Sequence, residues 1–80
     1  MSSIDIIIFN MKQEILKRFA KRVHELRKKN GWSQEELGER SGLHRTYVGS
    51  LERSERNVSL INVDRIAKAL NISVEYLIKK

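Results

Sequence analysis

The stretch Gln34–Arg53, QEELGERSGLHRTYVGSLER, constrains this chain most, because its small and apolar residues fall where two helices crossing at a tight turn need them. Counting Gln34 as position one, Leu37 is fourth, Gly38 fifth, Gly42 ninth, Leu43 tenth, Val48 fifteenth and Leu51 eighteenth. Gly38 is expected at the closest approach of the second helix, where a larger side chain would pry the pair apart. Gly42 is expected to end the first helix of the pair in a left-handed conformation, which costs other residues more. Leu37, Leu43, Val48 and Leu51 then tie both helices to a shared core. The start of the second helix stays free.

The flanking sequence extends this pair into an all-α, compact five-helix bundle. From Met11 to Asn30, Ile15, Leu16, Phe19, Val23 and Leu26 recur at spacings of three and four, which predicts one amphipathic helix. Asn10 with Gln13 resembles a capping box at its start, and Gly31 supplies the stop. Ser33 and Glu36 form the equivalent signal before Gln34, and His44 stands at the cap of the next helix. Arg53–Ser59 breaks the apolar pattern and reads as an exposed loop. Ser59 then caps a helix whose Leu60, Val63, Ile66, Ala67 and Leu70 form a buried stripe ending near Asn71. Ser73 caps a fifth, with Val74, Leu77 and Ile78 closing the core and Tyr76 partly buried. Residues 1–10 stand outside this plan. Ile4, Ile6, Ile7, Ile8 and Phe9 give a short strand-like run ahead of a domain at 11–80 that closes without it. They are expected to be a disordered extension or an upstream start, with an arm packing on a partner subunit as the alternative.

Eighty residues allow one domain, whose core is too small for a deep catalytic cavity. Cysteine is absent, so neither a disulfide nor a thiolate–metal site supports the fold, as suits a reducing cytoplasm. The Ile6–Phe9 run falls far short of the roughly 20 residues that span a bilayer, so no membrane partner is expected. Net charge is +6, which draws polyanions. The surplus lies early: eight Lys or Arg against three acids through residue 30, and eight against seven thereafter. Lys17, Arg18, Lys21, Arg22, Lys28 and Lys29 therefore give either a field for phosphate or an ordinary solvated helix face.

A helix pair of this form, with the start of its second helix open, is a helix-turn-helix that can enter a DNA major groove. Residues 12–80 resemble the helix-turn-helix domain of the lambda Cro and repressor type, also called the xenobiotic response element type. More narrowly, L-H-R-T-Y-V-G-S-L-E-R-S-E-R-N-V-S-L-I-N-V, Leu43 to Val63, resembles the controller proteins of restriction-modification systems. That resemblance implies a sequence-specific regulator, working as a homodimer on paired half-sites of double-stranded DNA and controlling its own promoter and that of the endonuclease. RNA polymerase would be a further partner.

Carried over by position, the resemblance places Arg45 and Thr46 at the base-reading start of the recognition helix, Ser50 one turn on, and His44 beside them. Arginine's fork suits guanine O6 and N7, and threonine's methyl suits thymine. Ser33, Gln34, Tyr47, Arg53, Arg56 and Asn57 would bind phosphate, the helix-two amides offering free donors. Packing for Tyr47 and simple solvation for Arg56 are the competing roles. Arg27 and Glu52 would form a structural ion pair. His24 stands where a longer arginine is frequent, and Trp32 at a usually aliphatic core edge. Ile61, Asn62 and Arg65, beside the helix-four stripe, would meet their own copies in the dimer.

Other functions compete. An antitoxin-type or phage-type repressor would use the same domain, and neighbouring genes separate it from a controller. A small nuclease lacks a nucleophile, a phosphate loop and a carboxylate–histidine cluster. A helical interaction module that never touches DNA would show no salt-dependent binding. No cofactor, metal or small-molecule ligand is expected.

Overall fold

The computed structural model describes residues 2–80, and its regular elements are five helices: α1 Ser3–Lys29, α2 Gln34–Ser41, α3 Arg45–Glu52, α4 Leu60–Leu70 and α5 Val74–Ile78. Serine hydroxyls begin α2, α4 and α5, each accepting from an amide three residues on: Ser33 from Glu36, Ser59 from Asn62, and Ser73 from Tyr76. These satisfy donors that a helix start leaves unpaired. Glu36 does not complete a reciprocal box; its carboxylate instead accepts from Arg40 Nε at 2.9 Å.

The first helix starts eight residues earlier than its apolar stripe suggests. Ser2 and Asp5 form a capping box, Ser2 Oγ accepting from the Asp5 amide while Asp5 accepts from the Ser2 amide. Asn10 and Gln13 lie inside the helix, so the capping signal read there is not used. The strand-like run Ile4–Phe9 is helical too: β-branched residues only weakly disfavour a helix, and a good cap with an uninterrupted downstream helix outweighs them.

The core is Phe19 and Val23 of α1, Leu37 of α2, Val48 and Leu51 of α3, Val63, Ile66, Ala67 and Leu70 of α4, and Leu77 of α5. Trp32, Leu43, Tyr47, Val58 and Val74 pack at its edge. Three residues expected inside are not. Leu60 is 82% exposed, Ile15 46% and Ile78 43%. Each lies at the outer end of its stripe, where the helix runs past the facing elements and periodicity continues after the partner surface has ended.

Gly38 and Gly42 carry the turn between α2 and α3. A Cβ on Gly38 would lie 2.6 Å from the Leu43 carbonyl oxygen and 3.3 Å from the Arg45 nitrogen, so the close approach is to turn backbone, which cannot yield. Gly42 has φ 74°, and the Leu43 amide then donates to Gly38 O at 2.8 Å.

Arg18 and Arg22 take a role the charge pattern did not reveal. Arg18 Nε donates to Ile78 O at 3.2 Å, and Arg22 Nη1 donates to Tyr76 O at 2.6 Å and to Lys79 O. Two cations of the basic α1 face thereby hold the C-terminal carbonyls of the shortest helix, whose own bonding leaves them open.

Candidate nucleic-acid interface

The α2–α3 pair is braced from α1 by a single carboxylate. Glu52, at the last turn of α3, has a side chain only 4% exposed and accepts from Arg27 Nε at 2.7 Å and Arg27 Nη2 at 3.0 Å, a forked contact. Gln34 Nε2 donates to the same carboxylate at 3.2 Å, and His24 Nδ1 lies 2.8 Å from it. A carboxylate only accepts, so the His24 proton sits on Nδ1 and the 3.3 Å approach of Arg27 Nη2 to that nitrogen is not a hydrogen bond. Arg27 Nη1 also donates to Trp32 O at 2.7 Å. Burial alone would raise the Glu52 carboxyl, but the hydrogen bonds from Arg27, His24 and Gln34, with the Arg27 charge, hold it below its ordinary value. Hydrogen bonding to Glu52 raises Arg27, against the opposing effect of burial. The predicted pair is therefore present and enlarged by two residues, His24 and Gln34.

What this bracing presents is the start of α3. His44 caps the helix, Nδ1 accepting from the Thr46 amide at 3.1 Å. That local bond makes it the helix's starting residue. Arg45 and Thr46 follow, both exposed. The Arg45 side chain is 65% exposed and its Nη1 lies 3.5 Å from a Glu35 oxygen, a surface pair worth little in water. Its fork is thus free to exchange that carboxylate for another acceptor.

Ser50 does not share this exposure. It is 8% exposed; its hydroxyl donates to Tyr47 O at 2.9 Å and accepts from Arg56 Nε at 2.6 Å. One helical turn past Thr46, this side of α3 runs beneath the following loop, and the Ser50 hydroxyl expected at a base edge is instead engaged in anchoring that loop. Arg56, expected at phosphate or in solvent, is held by this bond and by the Tyr47 face, 5.0 Å from the ring centre. Tyr47 is half-buried against the core, its hydroxyl accepting from Asn62 Nδ2 at 3.1 Å. Asn62 therefore has an intrachain partner that the α4 pattern gave no sign of. Ile61 and Arg65 remain exposed beside it.

Around α2, Ser33 spends its hydroxyl on the cap and Gln34 its side-chain amide on Glu52. The first backbone N–H groups of α2 remain outside the helix's own bonding, and the helix dipole adds to them. Of Gln34, only the backbone amide is left to meet an anion. Arg53 Nε faces Glu55 at 3.0 Å across the exposed loop, and Asn57 is exposed. Trp32 sits at the core edge as expected, with the Arg40 guanidinium 4.2 Å above its ring, a stack that spacing alone does not show. Among the described residues no group of His, Asp or Glu side chains could hold a metal ion, and no helix is long and apolar enough to cross a membrane.

Comparison with known proteins agrees with this geometry. Residues 23–77 match the helix-turn-helix family. Control protein C.SmaI of Serratia marcescens is 50% identical over 80 residues, all of this chain and 90% of the relative. The chain belongs to the helix-turn-helix family of controller proteins. Within that family, the restriction-modification controller protein C.AhdI of Aeromonas hydrophila has a crystal structure that superposes with TM-score 0.75 at 50% identity, covering 78% of this chain and 94% of that one. A structure of SinR in complex with DNA matches at TM-score 0.73 and 31% identity, over 76% of this chain and 98% of that one.

Proposed function

We propose that this chain is a sequence-specific DNA-binding transcriptional regulator, the controller of a restriction-modification system, acting in the cytoplasm as a homodimer on paired half-sites and without enzymatic activity. The observation that carries the reading is the exposed start of α3: Arg45 and Thr46 project from a helix whose opposite side, Val48 and Leu51, is fully packed, and whose end is clamped to α1 through Glu52. A rigid helix with a bidentate donor at its tip can discriminate a guanine edge without reorganising the domain. His44 lies beside them, available for a base or sugar contact only through the face not used in capping. The α2 amides, Arg53, Asn57 and the ring-stacked Arg56 flank the groove-entering tip and supply the phosphate contacts that set register. Tyr47 serves these contacts by holding Arg56.

One recognition helix reads too few base pairs to be selective in a genome, so two copies are required. Ile61, 68% exposed at the start of α4, with Arg65 one turn on, forms the self-facing patch, and Asn62 steadies it through Tyr47. The relatives named control proteins favour the controller role over an antitoxin or phage-type repressor. Action at more than one site would bring in RNA polymerase.

Selection of bound sequences from a random duplex pool tests the reading. Enrichment of two symmetric half-sites at fixed spacing is expected; recovery of no common sequence would remove it.

A further inference from the structure

Ser2 and residues 3–12 of α1 are all exposed, and burial begins only at Gln13, so the first turns of this helix project from the body. At 1.5 Å per residue the 27-residue helix is about 40 Å long, close to the 43 Å long axis of the whole molecule. This arm is built from apolar side chains. Ile4, Ile8, Met11 and Ile15 recur at spacings of four, three and four, which places them on one face in the rhythm of a two-helix seam. That seam ends in a groove on the body of about 270 Å³, lined mainly by apolar side chains, among them Ile15, Leu16, Phe19, Leu60 and Ile78, with Arg18 the one charged residue on its wall. Leu60 and Ile78 are two of the three residues that the core leaves uncovered.

We infer that the arm is a docking element for a second copy of this chain, pairing antiparallel with its counterpart so that each arm lies along the other's seam and its tip covers the other's groove. The chain cannot cover the groove itself, because Ile15 belongs to both the groove and the straight helix that carries the arm away from it. A two-fold axis solves this. It sets Ile4 against the partner's Ile15 and Ile8 against the partner's Met11, four apolar layers from one four-residue stripe. The flanks agree in charge: Asp5 and Lys12 each follow a stripe residue on the same side, and the antiparallel register brings Asp5 of one copy toward the partner's Lys12. From Ser2 to Met11 the only charged side chain is Asp5, so the arm carries no cations for an anionic lipid surface. Past Ile15 the same seam positions are Arg18 and Arg22, which are spent on α5, so the apolar seam stops where the groove begins. The arm also lies within the span matched by C.SmaI, as a shared element would.

The contact stands apart from the start of α3 and from Ile61, so its failure would leave the proposed regulator intact. The chain lacks cysteine, which makes engineered disulfides clean reporters. Ile4 and Ile15 are eleven residues apart on one helix, about 16 Å by helical rise, and cannot bridge within a chain. In the full-length protein, Ile4→Cys with Ile15→Cys is expected to give a covalent dimer on mild oxidation, while neither single variant does. Absence of that dimer, or equal cross-linking by Ile4→Cys alone, would overturn the antiparallel register. Measured in an Ile61→Asp background, so that the α4 patch does not mask the result, Ile8→Glu with Met11→Glu, both outside the core, should keep the helical circular dichroism and weaken self-association at least tenfold in sedimentation. An unchanged association constant would show that the arm serves some other surface.

Discussion

Glu52 shows how one residue can set the relation between elements. It gathers Arg27 and His24 from α1 and Gln34 from α2 onto the end of α3. Removing Arg27 would leave a carboxylate with nearly all of its surface buried and its strongest partner gone, whereas Lys28 beside it is exposed. Arg27→Ala should therefore destabilise the fold by about 3 kcal/mol, as for other broken buried pairs, and Lys28→Ala by much less. Thermal melts of the two at equal protein concentration test this, and equal midpoints would remove the argument. The sign of the pH effect follows from the lowered Glu52 carboxyl. Its contribution is fully present above the unfolded value of about 4.3 and is lost as pH falls through the lower folded value. Glu52→Gln should thus be less stable at neutral pH but lose less on acidification between about pH 5 and 2. Denaturant midpoints across that range would show parallel curves if Glu52 were not responsible. At the tip proposed to read DNA, Arg45→Ala should weaken specific binding by about 1 to 3 kcal/mol and relax preference at one symmetric base position. Titrations against single-base operator variants distinguish this from a uniform loss, which would make Arg45 a phosphate contact.

At the level of elements, the α2–α3 turn is the least tolerant part of the chain. Gly38→Ala would push a methyl into the Leu43 carbonyl, backbone that the Gly38–Leu43 hydrogen bond holds in place. The expected cost is about 1 to 3 kcal/mol, as for other overpacked sites. Gly42→Ala meets no neighbour but must adopt φ 74°, a cost of about 1 kcal/mol. Denaturant unfolding should rank Gly38→Ala as the more damaging of the two; the reverse order would mean that the turn backbone yields. α3 is positioned by the same turn, so Gly38→Ala should also weaken DNA binding in the fraction that remains folded. Ser50 belongs here as well. Its hydroxyl ties the loop after α3 through Arg56, making loop and helix one unit.

The whole molecule carries net charge +6, and part of the basic α1 face is spent internally on α5. Affinity for DNA should still fall linearly on a log–log plot against salt, with a slope set by the phosphates neutralised. A flat salt dependence would exclude the proposed interface. Assembly is set at this scale too. Ile61→Asp brings like charges together across the α4 patch and should weaken operator binding while the helices persist; combined with Ile8→Glu and Met11→Glu, which remove the arm contact, it should leave monomers, as sedimentation with circular dichroism would show, and an assembly undiminished by adding Ile61→Asp would place the functional contact elsewhere.

The sequence alone determined the helix pair and its turn, because Gly38, Gly42 and the four apolar positions act over distances of one or two helical turns, where spacing fixes geometry. It also determined three serine-capped starts and most of the core, for the same local reason. The Arg27–Glu52 pair was legible only by resemblance, since 25 residues separate partners that no local rule joins. Only the tertiary structure decided that Ser50 turns inward, that Asn62 binds Tyr47, and that Arg18 and Arg22 clamp α5. It alone decided that Leu60 lies outside the core and that α1 runs unbroken from Ser3. Each of these depends on where a neighbouring element ends. Periodicity gives the face a residue occupies, but burial needs a second surface opposite that face, and the sequence of one helix does not say how far its neighbours extend.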